Sequence, residues 1–507
     1  MSTNRNHPPS ILLIMTDQHR VGLTRRTGCP VDTMPFLDRL AEQGTAFDVA
    51  YTSYPACVPA RTSLLTGRFP TAHRVRQNST ARHAYFDRDL LDVLRDQGYR
   101  LHFAGKPHMH RGPDDFDSYA GPYWHTSGPE RTDDQVAFDR WLDDLDHGVS
   151  ERPSPYGVEA QLPYRIVSDA IEQIDPDSAD PSLWWVSFPE PHNPYQVPEP
   201  YFGLVPEDQV PPRLVGPEAI GRKAGDYRWL RELVEEKRPG YDDQWRRYRA
   251  NYLGMLRLID DQIGRLLGHL GDRLRDTIVI FVSDHGDYLG DYGLQRKGAG
   301  LPDALTRIPF QLTGPDITAG QRRTEPVSMV DLLPTVCELI GAEIPPGVQG
   351  RSLAPLLAGD PAPGREFESI IAELGYGGVP YGAEERPPLH FDYPGPTFDE
   401  LNSVTQSGGQ RMIRQGAYKL IMDVDGVGEL YDLEADPAEL INLYDDPDHG
   451  EVREQLSASL IHWMIRITDD LPTGVYRPKS VPHNWRWAPR PSNGDSGNGS
   501  APVADRE

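Results

Sequence analysis

A mostly parallel β-sheet with helices on both faces, an α/β sandwich, is the fold class that this 507-residue sequence predicts. Three observations carry it. Short continuous apolar runs, "ILLIM" (11–15), "LHFAG" (101–105), "LWWVSF" (183–188) and "TIVIFVS" (277–283), read as strands buried on both faces. Longer segments with helical spacing alternate with them, the strand–helix–strand order of a parallel sheet. Polar residues of chemical interest (Asp17, Lys106, His192 and Asp284) each follow one of these runs. In open α/β sheets, ligands bind beyond the carboxyl ends of the strands.

The elements follow in order. After the first strand, "TMPFLDRLAEQG" (33–44) puts Phe36, Leu37 and Leu40 on one helix face and is expected to stop at Gly44. In "SYPACVPARTSLLTGRFP" (53–70), Pro59 suits a helix start, where its missing N–H leaves no partner wanting. The segment 246–271 is the longest helix pattern and feeds the strand at 277. "SMVDLLPTVCELIG" (328–341) is another helix, broken or started near Pro334. Beyond 350–364 the pattern changes to "SIIAEL" (369–374), a Gly/Pro-rich loop (375–410), short antiparallel strands (411–433) and a helix (450–467). We therefore divide the chain into an α/β catalytic domain (1–365), an α+β C-terminal subdomain that carries an active-site loop (366–489) and a disordered polar tail (490–507). Residues 110–160 and 375–410 read as loops at a pocket mouth, with Tyr123, Trp124 and His125 among them.

Composition narrows the function classes. A formal charge of −25 disfavours nucleic acid and anionic membrane as main partners, because both attract positive charge. An acidic protein that takes an anionic substrate must gather Lys, Arg, His or a metal in one pocket. Cys29, Cys57 and Cys337 do not make a disulfide framework. "ILLIM" is too short for a signal peptide, the pair Arg25-Arg26 lies after it, and no apolar run approaches the roughly 18 residues of a membrane span. The expectation is a soluble cytoplasmic protein with neither a membrane nor a nucleic-acid partner; the sequence leaves homo-oligomerisation open.

Two acidic clusters stand at strand ends: "MTDQH", with Asp17 and Gln18, and "VSDHGD", with Asp284 and His285. Either alone reads more readily as a helix cap or a solvated loop than as a metal site. Together, at the carboxyl ends of one sheet, they suggest a divalent-cation site, since hard cations take carboxylate oxygens and tolerate an imidazole. Cys57, at a helix N-terminus with Arg61 one turn on, is placed where an anionic or polarised group is favoured; a buried inert thiol is the alternative.

The stretch "CVPARTSLLTGRFP" closely resembles the sulfatase signature, Cys-x-Pro-x-Arg followed by a small-residue helix and Thr-Gly-Arg. The resemblance continues through 11–18, "GKPHM" (105–109), "PEPHNPY" (189–195), "SDHGDYLGDYGLQRKG" (283–298), 327–341, 349–359 and 418–443. It implies an alkaline-phosphatase-like sandwich with a smaller C-terminal antiparallel sheet. It also implies that Cys57 is converted by a formylglycine-generating enzyme to Cα-formylglycine, whose hydrate is the nucleophile. By the same resemblance Asp17, Asp284, His285 and modified Cys57 hold a metal, usually Ca²⁺, with Gln18 as a weaker ligand or a substrate contact. Arg61 orients the diol, Lys106 binds sulfate oxygens, and His108 takes the proton that lets the sulfated hemiacetal collapse. His192 and Lys297 serve the leaving ester oxygen, and Asn78 touches the sulfate. Many sulfatases carry Asp-Asp and Asp-Asn where this chain has Asp-Gln and Asp-His, a pattern similar to choline sulfatases and phosphonate monoester hydrolases. Mn²⁺ therefore stands beside Ca²⁺. The expected activity is sulfate-monoester hydrolysis. The rivals are phosphonate-monoester or phosphodiester hydrolysis with the same nucleophile, and a noncatalytic anion- or metal-binding protein. Lys106 and His108 favour the first; intact Cys57, Arg61, Asp17 and Asp284 oppose the last. His102 and His110, which match nothing in the family, are read as structural.

Overall fold

In the computed structural model, which describes residues 7–146, 148–375, 378–380, 385, 408–468 and 484–485, the first apolar run is the central strand β1 (Ser10–Thr16), buried along its length. The other described strands are β2 (Gly44–Phe47), β3 (Ala50–Tyr51), β4 (Arg100–Gly105), β5 (Ser118–Ala120), β6 (Ser182–Ser187), β7 (Thr277–Ser283), β8 (Phe310–Thr313), β9 (Gln321–Arg323), β10 (Val327–Ser328), β11 (Ser369–Leu374), β12 (Gln410–Gln415), β13 (Tyr418–Asp423) and β14 (Gly428–Asp432). The large sheet has eight strands in the order β5-β4-β6-β1-β7-β8-β2-β9. β5, β4, β6, β1 and β7 are mutually parallel, and only β8 runs against its neighbours β7 and β2.

Alternate residues of β1 serve opposite layers, which explains an unbroken apolar run. Ile11, Leu13 and Met15 pack with Leu64 and Leu65 of the helix Cys57–Thr66 and with Val336 of the helix Leu332–Ile340. Leu12 and Ile14 pack with Ile166 of the helix Leu162–Gln173 and with Leu256 and Ile263 of the helix Trp245–Leu270. The α/β sandwich inferred from the sequence is the fold observed.

β11 to β14 form a separate four-stranded antiparallel sheet. Its Ile371, Ile413, Leu420 and Leu430 pack with Leu456, Leu460 and Trp463 of the helix Gly450–Ile467. Its other face meets Tyr51 and Tyr54 of the large domain. An ionic knot, buried at Lys419 and Glu439 and half-buried at Asp303, crosses that contact. Lys419 Nζ donates to Asp303 Oδ1 at 3.0 Å and to Glu439 Oε1 at 2.9 Å, while the Tyr51 hydroxyl donates to Asp303 Oδ1 at 2.6 Å.

Two details correct the sequence reading. The helix Pro35–Glu42 ends before Gly44, which instead begins β2 and lies so close to β8 that a Cβ there would sit 2.1 Å from the Leu312 carbonyl. Residues 110–160 are not simply loop. They contain β5 and the helix Asp133–Asp144, whose Thr132 hydroxyl caps the Gln135 N–H at 3.2 Å. Most of 375–410 and the tail 490–507 lie outside the described residues. No described helix is long and apolar enough to cross a membrane.

The carboxyl ends of β1, β4, β6 and β7 lie side by side and deliver Asp17, Lys106 and Asp284 to one place. Gly105 makes that convergence possible. Its φ of +128° and its approach to β6, where a Cβ would lie 1.9 Å from the Ser187 carbonyl oxygen, admit no side chain. Gly105→Ala should destabilise the protein by roughly 1–3 kcal/mol and lower the thermal midpoint, because the clash is with backbone and β4 must part from β6. An unchanged midpoint would show that the strands are free to adjust.

Candidate active site

The helix Cys57–Thr66 starts abruptly: Ala56 is extended (φ −150°, ψ 147°), and Cys57 is the first helical residue, 1% exposed. The side-chain oxygen of Asn78 accepts the Val58 N–H at 3.1 Å and so caps this helix from outside. Cys57 Sγ points at the ends of β1 and β7, 3.6 Å from Asp17 Oδ1 and 3.4 Å from His285 Nε2. His285 is fixed from behind, since its Nδ1 bonds the Gly286 carbonyl at 2.9 Å and Nε2 is turned inward.

Arg61, one turn into the same helix and fully buried, ties the two carboxylates together. Its Nη2 donates to Asp17 Oδ2 at 3.0 Å and its Nε to Asp284 Oδ2 at 3.0 Å. Nη1 donates to the Lys106 carbonyl at 2.9 Å and to Ser187 Oγ at 2.8 Å. Arg61 therefore braces the site from below by donating to the carboxylates, from the same helix that carries residue 57. The Oδ2 atoms are committed to cations, while Oδ1 of Asp17 faces the sulfur and Oδ1 of Asp284 accepts the main-chain N–H groups of Gln18 and His285. Lys106 Nζ adds a third contact to Asp17 Oδ2 at 2.8 Å.

These charges shape the acid–base chemistry. Burial alone would raise the Asp17 carboxyl, but Lys106, Arg61, His192 and Lys297 hold it well below the usual range. Burial, reinforced by the Asp17 charge, raises Asp284. Burial and Asp17 push the Cys57 thiol up, yet Lys297, Lys106 and His285 more than offset them and leave it lowered. Burial and then the Lys106 and Arg61 charges drive His108 well below its ordinary value, so its imidazole is neutral at pH 7. Its Nδ1 is buried with no hydrogen-bond partner among the described residues, and its backbone is left-handed (φ 32°).

Gln18 holds the other wall. Its backbone is also left-handed (φ 66°), fixed by its N–H on Asp284 Oδ1 at 3.0 Å and by the Tyr252 hydroxyl on its carbonyl at 2.6 Å. Its side-chain oxygen accepts from Lys297 Nζ at 3.0 Å. The His192 ring is set by its Nδ1 on the Asn193 carbonyl at 2.9 Å, and His125 lies 4.9 Å from it, ring to ring. Trp124 meets His108 edge-on at 5.8 Å. The catalytic, substrate-binding and metal candidates named from the sequence thus fall at or beside this site. The two histidines set aside as structural are occupied elsewhere: His110 on Asp89 at 2.9 Å, and His102 on Ser118 at 2.6 Å. Sequence reasoning missed Ser187, Asp287, Tyr252 and Glu190. Asp287 and Glu190 lie within family motifs, Ser187 ends a strand and Tyr252 lies on the longest helix, but none is distinguished by spacing.

The ligand atoms of Asp17, Cys57, Asp284 and His285 lie within 4.8 Å of one another, a compact set of two hard oxygens, a nitrogen and the side chain of residue 57. That set fits a divalent cation. A separate cavity of about 320 Å³ borders the exit of β1, lined by Arg20, Asp48, Asp303, Arg307 and Arg322. Its charges pair among themselves, as in Arg20–Asp291 and Arg322–Asp48, and it shares no residue with the metal set.

The sulfatase family model matches residues 9–342. The chain belongs to the sulfatase family. A second match, described as N-sulphoglucosamine sulphohydrolase, C-terminal, covers 390–465. This sulfatase is 28% identical over 513 residues to the uncharacterized sulfatase YidJ of Escherichia coli K12, covering 96% of this chain and 95% of that one. It is 28% identical to a choline-sulfatase of Rhizobium meliloti over 91% of this chain and 88% of the relative. The solved phosphonate monoester hydrolase of Agrobacterium radiobacter shares the fold with a TM-score of 0.75, at 24% identity, over 90% of this chain and 96% of that one. The protein is thus a sulfuric ester hydrolase of the alkaline phosphatase superfamily, and the sulfatase family generally uses formylglycine and a divalent metal.

Glu190 offers a test of this packing. It follows β6, its carbonyl accepts the Asp17 N–H at 3.2 Å, and its Oε2 is buried without a hydrogen-bond partner among the described residues. Burial raises it from 4.5 to about 8. Between those two values the unfolded chain releases this proton while the folded chain keeps it, so stability falls as pH rises through the window. Glu190→Gln should flatten the thermal midpoint against pH between about 4.5 and 8 and gain on wild type by a few degrees at the upper end. Parallel curves for the two proteins would refute the assignment.

Proposed function

We propose that the chain hydrolyses a sulfate monoester with formylglycine derived from Cys57 as nucleophile, matured by a formylglycine-generating enzyme, at a site that holds Ca²⁺, with Mn²⁺ as the alternative. The observation that carries this is the compact set of Asp17, Cys57, Asp284 and His285 ringed by Arg61, Lys106 and Lys297, an anion-accepting pocket inside an acidic protein. Bound metal would supply charge stabilisation at the transferring group, and the hydrated aldehyde would supply an oxygen nucleophile. Lys106 binds the sulfate oxygens of the substrate, Lys297 binds the leaving ester oxygen, and Asn78 and Gln18 add neutral polar contacts. Their charges and dipoles are fixed before the substrate arrives, so little reorganisation accompanies the reaction. Arg61 keeps the metal carboxylates in place. His108, held neutral, takes a proton from a hydroxyl at residue 57. His192, its ring set through Nδ1, gives a proton to the departing alcohol oxygen. A reducing, cytoplasmic setting fits the three cysteines, all buried and none in a disulfide.

Cys57→Ala should lower turnover by about three orders of magnitude or more with the fold retained, measured on purified protein coexpressed with a maturation enzyme. Wild-type turnover in that variant would sink the proposal. Asp17→Ala and Asp284→Ala should each abolish metal binding in calorimetric titration with Ca²⁺ or Mn²⁺, along with activity. A panel of sulfate, phosphate-diester and phosphonate esters separates the sulfate reading from its phosphorus-ester rival.

The two histidines should differ. His108→Ala should slow turnover by about 10²–10⁴-fold and produce a burst of aryl alcohol before the slow steady state, since its basic nitrogen is needed only after the ester bond is broken. His192→Ala should show no burst, and its rate should depend more steeply on leaving-group pKa. Equal losses, with no burst and one common dependence, would refute this division of roles.

A further inference from the structure

Asp287, two residues beyond His285, lies outside the metal set and touches none of its ligand atoms. Its Oδ1 accepts the main-chain N–H groups of Leu289 at 2.7 Å and Arg296 at 3.0 Å and the Tyr248 hydroxyl at 3.1 Å. Its Oδ2 accepts Gln18 Nε2 at 2.7 Å and the Tyr195 hydroxyl at 3.0 Å. The far end of the Gln18 amide then meets Lys297, whose Nζ lies 3.0 Å from Oε1. All of these groups are buried.

We propose that Asp287 is a positioning residue that sets the polarity of the Gln18 amide, so that an oxygen and not an N–H group faces Lys297 in the active site. The inference rests on the functional reading above. It follows from what each group can donate or accept. An ammonium only donates, so Lys297 requires Oε1 on its side. The amide then has only N–H to offer at its other end, and that end must find an acceptor. Asp287 supplies one, and it cannot turn away, because two main-chain N–H groups pin Oδ1. A buried amide with the wrong end toward an ammonium would place N–H against N–H and leave both unsatisfied. Lys297 is thereby held through a two-step relay, Asp287 to Gln18 to Lys297, that begins on the strand-end loop carrying His285.

The relay makes a signed prediction. In Asp287→Asn the main-chain N–H groups of Leu289 and Arg296 still require an oxygen, so the new NH₂ occupies the Oδ2 position and faces Gln18. The Gln18 amide must rotate to offer its oxygen there, and N–H then opposes Lys297. Activity on the best ester of the substrate panel should fall by about 10–100-fold, the range seen when an outer partner of a site group is lost. Gln18→Glu alone should also be damaging, since it sets a second carboxylate against Asp287. The double variant Asp287→Asn/Gln18→Glu should recover. There the carboxylate at position 18 accepts from the NH₂ of residue 287 with one oxygen and from Lys297 with the other, and the net charge of wild type is restored.

The experiment is a double-mutant cycle read in two ways on the full chain: kcat/KM, and the thermal midpoint of the protein stripped of metal. The expected result is two damaging single substitutions whose combination returns most of both quantities. Tyr248→Phe, which removes a donor to Oδ1 without altering the Gln18 amide, should lower the midpoint and leave kcat/KM within about threefold of wild type, the spread of a small structural perturbation. Additive losses in the double variant, or Asp287→Asn at wild-type level in both readouts, would overturn the proposal. If no ester is hydrolysed, the functional reading fails while the midpoint cycle still decides the role of Asp287.

Discussion

Asp17 and Asp284 stand at the ends of adjacent parallel strands, both fully buried, and would repel each other strongly in a low-dielectric interior. The Arg61 guanidinium resolves this. Its fork reaches Oδ2 of each carboxylate and leaves Oδ1 of Asp17 facing residue 57 and Oδ1 of Asp284 on the main-chain N–H groups of Gln18 and His285. Other features of the site depend on that arrangement. The helix that carries Arg61 also carries Cys57, so the same turn that neutralises the carboxylates delivers the reactive side chain to them. Lys106 and Ser187, at the ends of neighbouring strands, fix the guanidinium through their own oxygens. A lysine in place of Arg61 would present a point charge and could not bridge in this way.

The left-handed backbones of Gln18 and His108 show how the site is held open. Non-glycine residues rarely adopt such conformations unless their surroundings impose them. At Gln18 the imposing partners are visible: Asp284 takes its N–H and Tyr252 its carbonyl. The turn directs both the main-chain N–H and the side-chain amide of one residue toward different members of the site. Strain at a strand end is thereby converted into density of functional groups.

Much of this is legible in the sequence, and for definite reasons. The central strands are unbroken apolar runs because both faces of the sheet are covered, and their ends are marked by the polar residues that follow. Gly44 misleads because a glycine after a helical pattern resembles a stop, whereas here it serves the close approach of β2 to β8. The helix Asp133–Asp144 is hard to see because its flanks are polar and aromatic and its apolar stripe is short. Among the functional residues, those within family motifs can be named. Asp287 sits inside "SDHGD" and still escapes notice, because its role is defined by hydrogen-bond direction across 269 residues of sequence to Gln18. Arg61 falls on the expected turn, yet its carboxylate partners are invisible until the fold is known. Helix spacing gives the turn on which a side chain lies, not which of several nearby acceptors it will take.

The ionic knot at Asp303, Lys419, Glu439 and Tyr51 bears on how such chains can be recombined. Asp303 and Tyr51 belong to the large domain, while Lys419 and Glu439 belong to the small antiparallel unit. Joining a unit that carries Lys419 to a large domain without a carboxylate at 303 would strip a partner from a fully buried ammonium, and an uncompensated buried charge is among the most damaging changes a fold can suffer. The C-terminal unit is therefore modular in sequence but not in heredity: a viable chimera must inherit both halves of the knot together.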